Sequence, residues 1–183
     1  MSYSPRIGRH FVCRPLVLCG FAVLLSTCGE YRLDPDCVEF FEADDLGRFS
    51  LRGEGSALHA DTGVLWYRCA GGMRFSNGQC LGESLLLSWS ETQQFIAEFS
   101  QNSNINWRLP SNDEHRSITE AACRNPAVNT NVFPQLPVEN FWTSDNGALG
   151  TDIHCMAYTF QGQIACREQP EALHAFMLVS GPE

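Results

Sequence analysis

Six cysteines constrain this chain more than any other feature: Cys37, Cys69, Cys80, Cys123, Cys155 and Cys166. They follow an N-terminal stretch that reads as an export leader, with Arg6, Arg9 and Arg14, no acidic residue, and the apolar run Leu16 to Leu25. A membrane-spanning helix needs about 20 apolar residues, and this run stops well short of that at Ser26-Thr27-Cys28-Gly29. A cleaved signal peptide over residues 1–27 is therefore expected. In an exported protein an even set of cysteines forms disulfides, whereas in the cytosol it would suggest metal binding or catalysis. The expected product is one small α+β domain stapled by cross-links.

Leu25-Ser26-Thr27-Cys28 resembles the lipobox of bacterial lipoproteins, which implies acylation of Cys28 and its exposure as the first mature residue. The competing reading is ordinary cleavage between Ser26 and Gly29, which yields a soluble periplasmic or secreted protein. Residues 28–46 are expected to form a lipid-anchored tether and residues 47–183 the folded domain, placing the protein at the outer membrane, in the periplasm or on the cell surface. All 21 acidic residues but only 9 of the 12 arginines lie beyond the leader, leaving a net charge of −12 there. Such a field repels phosphate backbones, so nucleic acid is not an expected partner. There is no lysine, which excludes a Schiff-base lysine and a phosphate-binding P-loop.

Cys69 and Cys80 bracket Gly71-Gly72 and the turn signal Asn77-Gly78, so a local bridge closing a hairpin is the simplest pairing. Cys37, Cys123, Cys155 and Cys166 can pair in three ways. If Gln161-Gly162 is a two-residue turn, Cys166 lies opposite Ala157 and only diagonal to Cys155, beyond comfortable disulfide reach. A Cys155–Cys166 bridge then requires a longer loop, and these pairings stay open.

Short strands are expected at Phe49–Arg52 and Val64–Arg68. Ser88 with Glu91 forms a capping box ahead of Thr92, Phe95, Ile96 and Phe99 at helical spacing, until Asn102-Ser103-Asn104 breaks the pattern. Ser111 with Glu114 starts a second helix whose apolar face is Ile118, Ala121 and Ala122. Arg124 to Glu139 holds three prolines and three asparagines and reads as a long ordered loop. Phe141-Trp142, Cys155–Phe160, Gln163–Arg167 and Ala175–Val179 read as strands of an antiparallel sheet.

Trp107-Arg-Leu-Pro110, Asn125-Pro-Ala-Val-Asn-Thr130 with Val132-Phe-Pro134, and Phe141-Trp-Thr-Ser144 resemble the Lcl C-terminal domain family. Thr62-Gly-Val-Leu-Trp66, the cysteines that follow it, and Phe160-Gln-Gly162 match its remaining landmarks in order, covering about Arg48 to Gly181. The resemblance implies a fold similar to C-type lectin-like domains and, more distantly, to formylglycine-generating enzymes, with two helices packed on short antiparallel strands and long loops. His115 departs from the pattern, which usually has leucine there, and no catalytic residue carries over.

Several residues are weighed as ligands. Asp145 and Asn146, with Glu168-Gln169-Pro170, carry oxygen donors of the kind calcium takes, set against a turn that caps its own backbone. No other metal or cofactor is expected. His154, Cys155, Cys166 and His174 could be soft metal ligands, set against disulfides plus surface histidines. Arg108 either contacts a ligand or braces loop carbonyls. The expected function is a non-catalytic binding module of adhesion type, recognising a glycan or an envelope or surface protein through the loops between Arg124 and Thr151. Asn129, Asn131, Phe141 and Trp142 are its expected exposed contacts. The alternatives are a metal-dependent oxidase of the formylglycine-generating type and a purely structural envelope lipoprotein.

Overall fold

The computed structural model describes residues 34–147 and 152–181, the side chain of Glu54 excepted, and the backbone of residues 10–14 and 27–31. The latter segments form strands β1 (His10–Arg14) and β2 (Thr27–Tyr31), paired antiparallel. They belong to one compact unit, residues 1–34, and Pro35 to Glu183 forms another. The Cys28 sulfur and most of the expected leader lie outside the described residues. Among the described residues no helix is long and apolar enough to cross a membrane.

The second unit opens with a single helical turn, α1 (Cys37–Phe40), followed by β3 (Phe49–Arg52), β4 (Ser56–His59), β5 (Leu65–Tyr67), β6 (Arg74–Ser76) and β7 (Gln79–Leu81). Helices α2 (Trp89–Ser103) and α3 (Asn112–Ile118) come next. The strands β8 (Asn140–Asn146), β9 (His154–Tyr158), β10 (Gln163–Glu168), β11 (Ala175–Phe176) and β12 (Val179–Ser180) complete it.

Both long-range helix starts follow from local chemistry. The Ser88 and Ser111 hydroxyls each accept from the N–H three residues on, and the Glu91 and Glu114 carboxylates accept from the cap N–H groups. Thr92 and Ile96 are buried beneath α2, which ends at Asn104 in the left-handed conformation, φ 54°. Helix α3 is shorter than expected. The Thr119 hydroxyl donates to the His115 carbonyl at 2.9 Å, competing with continuation of the helix. Ala121 and Ala122 therefore sit exposed in a turn and supply no apolar face.

One four-stranded sheet is antiparallel in the order β12-β5-β4-β3, and a second has the order β10-β9-β8-β11. The second departs from the all-antiparallel expectation, because β11 lies parallel to β8 with Phe176 opposite Trp142. The single expected strand Ala175–Val179 is divided between the two sheets, with Val179 opposite Trp66 in the first. Its residues alternate between cores. Ala175, Met177 and Val179 pack with Trp66, Phe133 and Phe141, while Phe176 and Leu178 pack with Tyr67, Trp107 and Trp142. A run buried on both faces explains why this stretch is continuously apolar. Gly71 allows the Phe176 ring to approach its backbone, since a Cβ there would fall 2.1 Å from the ring.

Three disulfides staple the unit. Cys69–Cys80 ties the β6–β7 hairpin as expected, around Asn77 and Gly78 with φ of 51° and 80°. Cys155 and Cys166 stand directly opposite one another and are bridged. Tyr158 faces Gln163, so the connection runs over residues 159–162 and the two-residue turn is overturned. Cys37–Cys123 is the third bridge.

Within the stretch 28–46 expected as a tether, the residues from Pro35 onward are bound to the domain. Cys37 is fully buried, its N–H donates to the Arg124 carbonyl at 2.7 Å, and the Arg124 N–H donates to the Pro35 carbonyl at 3.0 Å. From Pro35 onward the chain is a strap bound to the domain.

Candidate functional site

The residues expected as exposed contacts occupy other positions. Trp142 and Phe141 are fully buried. The Trp142 indole N–H donates to the Leu87 carbonyl at 2.8 Å, and its ring is edged by Trp89, His154 and His174. Asn129 is buried and donates through Nδ2 to the Asp45 carbonyl, while its Oδ1 accepts from the Asn131 N–H. Asn131 in turn donates to the carbonyls of Glu42 and Asp45. These amides stand in for backbone groups and fasten the strap to the loop.

Arg108 is a brace. Its guanidinium forms a bidentate pair with Glu114 at 2.7 and 2.8 Å and also donates to the Leu109 carbonyl. Burial by itself raises the Glu114 pKa, yet hydrogen bonds from Arg108 and Ser111 and the Arg108 charge outweigh it and hold the carboxyl below its usual range. Beside the pair opens a groove of about 590 Å³ lined by Thr62, Val64, Ser111, Asp113, Ser144 and Asp145, with Glu114 at its wall.

Asp145, weighed as a calcium ligand, accepts from the Asn112 N–H at 2.6 Å, and Asn112 accepts from the Thr143 hydroxyl at 2.8 Å. The sequence singled out Asp145 alone among the groove's lining. Ser111 stood out only as a helix cap, and Thr62 and Ser144 only as parts of the family motifs. Asn146 is exposed at the end of β8. Among the described residues no group of three or more His, Cys, Asp or Glu side chains is placed to hold a metal ion.

The residues weighed as soft ligands are each engaged by protein neighbours. Cys155 and Cys166 are bonded to each other. His154 stacks on Trp89 at 3.8 Å between ring centroids, and His174 faces the Glu168 carboxylate at 3.2 Å. Both are buried, as are His59 and His115, which corrects the reading of surface histidines. Burial pushes the His115 imidazole down to about 4, against the opposing influence of the Glu114 charge and a hydrogen bond with the Trp142 backbone. Burial likewise lowers His59 and His154.

Neither a curated protein nor a solved structure matches the chain. The family model of the Lcl C-terminal domain does, over residues 55–180. That span takes in β4 to β12, both capped helices, the groove, and the Cys69–Cys80 and Cys155–Cys166 bridges. With most of its length inside that match, the chain belongs to the Lcl C-terminal domain family.

Proposed function

We propose that this domain is a non-catalytic binding module of an exported bacterial envelope protein, held to the membrane through an acylated Cys28, and that it recognises a glycan in the groove beside the Arg108–Glu114 pair. The observation that carries this reading is the groove's lining. Thr62, Ser111 and Ser144 bring hydroxyls to it, Asp113, Glu114 and Asp145 bring carboxylates, and Val64 adds an apolar contact. Sugar hydroxyls are donors that carboxylates accept well, and a volume of about 590 Å³ is in the range of a small-molecule site. The carboxylates favour neutral or amine-bearing sugars over sulfated or phosphorylated ones.

Export is supported by the fully bridged set of six cysteines and by the leader-like N-terminus. A C-type lectin-like architecture, with formylglycine-generating enzymes as more distant kin, is part of the same proposal. Two helices set on short strands and the irregular stretch from Thr119 to Glu139 support it.

The full chain is applied to a glycan array and to a pull-down with envelope components, alongside Ser144→Ala and Asp145→Asn. The expected result is binding to a neutral or amine-bearing glycan that weakens about tenfold in either variant. Blank results in both assays, from protein with a native thermal melt, would retire the proposal. Intact mass of chain extracted from a bacterial membrane reads the acyl group and the three bridges together.

A further inference from the structure

Strand β10 is the outermost strand of its sheet. Among the described residues, Gln163 to Glu168 make no backbone hydrogen bond except to β9. An open edge of this kind is a template for another extended chain. The pairing with β9 is regular from Gln163 to Cys166 and shifts only between Cys166 and Glu168. The Cys155–Cys166 bridge pins the strand, so little ordering is left to do on binding.

Over the face formed by β8, β9 and β10 lies a hollow of about 610 Å³ lined by Asn140, Met156, Tyr158, Gln163, Ala165 and Arg167. Tyr158 stacks with Phe160 at 6.0 Å, and the Arg124 guanidinium lies over the Phe160 ring at 5.6 Å. Arg167 is thus at one end of the strand and Arg124 beside the turn at the other. Neither pairs with a carboxylate among the described residues, although the chain beyond the leader is strongly acidic.

We propose that β10 docks an extended acidic peptide. The peptide adds as a further strand, places an apolar side chain beside Ala165 at the rim of the hollow, and sets carboxylates against Arg167 and Arg124. A second copy of the chain is a poorer occupant. Antiparallel pairing of two β10 strands would bring Arg167 of each near the Arg124 end of the other, and like charges across a strand pair are destabilising. The inference does not rest on the glycan groove, and either can fail without the other.

The test displays random decapeptides against the full chain and against Arg124→Glu/Arg167→Glu, with each protein's fold checked by its thermal melt. Wild type is expected to enrich β-prone peptides with acidic residues near both ends, and the double variant to enrich basic ones. Anisotropy with a labelled enriched peptide should show about tenfold weaker binding for each single charge inversion, and amide exchange should slow at Gln163 to Glu168. Four results overturn the proposal: no enrichment, equal binding to the inverted variant, protection elsewhere, or a concentration-dependent dimer abolished by Arg167→Glu.

Discussion

Replacing Cys37 and Cys123 by alanine should destabilise the domain more than the same change at Cys69 and Cys80, because the two bridges close very different lengths of chain. They are separated by 86 and 11 residues of sequence respectively. On chain-entropy grounds the long loop contributes about 4–5 kcal/mol and the short one about 3 kcal/mol, a gap of about 1.5–2 kcal/mol. All four positions are buried, so the cavities left by alanine are alike and the difference isolates the loop. Urea unfolding followed by tryptophan fluorescence measures it. The midpoint should fall further for the Cys37→Ala/Cys123→Ala variant, and its denaturant slope should rise as the unfolded chain expands. The difference between the two variants requires the strap to stay docked through Asn129 and Asn131. Equal losses for the two variants would refute it, as would proteolytic cleavage confined to residues 35–46 with an unmoved midpoint.

His59, His115 and His154 are buried with lowered pKa values, so on acidification the unfolded chain takes up their protons first. The stability they contribute is complete above pH 6.5, the ordinary imidazole value, and is lost as the pH falls toward the His115 value of about 4. For His115 alone that amounts to about 3 kcal/mol, and His115→Leu should flatten the pH dependence of urea midpoints. Arg108→Ala leaves the Glu114 carboxylate without its partner and should cost about 3 kcal/mol in the same assay, part of which Glu114→Gln restores. Gly71→Ala drives a methyl into the Phe176 ring and should cost about 2 kcal/mol.

What the sequence revealed was local. The two capping boxes and the Asn77-Gly78 hairpin depend on residues a few positions apart, and they stand where they were expected. Helix α3 shows the limit of that reasoning, because its alanines continued the pattern while one threonine hydroxyl ended it. The remaining differences come from pairing at a distance. Nothing near Cys37 marks Cys123 as its partner, and so the strap read as a tether. Trp142 sits in a loop-rich region of polar composition, yet its place opposite Phe176 buries it completely. Asn129 and Asn131 read as ligand contacts because the same amides that bind sugars also replace missing backbone bonds. The Thr62–Asp145 groove joins a β4–β5 turn, a helix cap and a strand end, which only the folded chain brings together.

The division of residues 175–180 between the two sheets governs when the molecule can close. Until that stretch arrives, one sheet lacks β11, the other lacks β12, and both apolar interiors stand open to water. One short stretch thus completes both interiors at once.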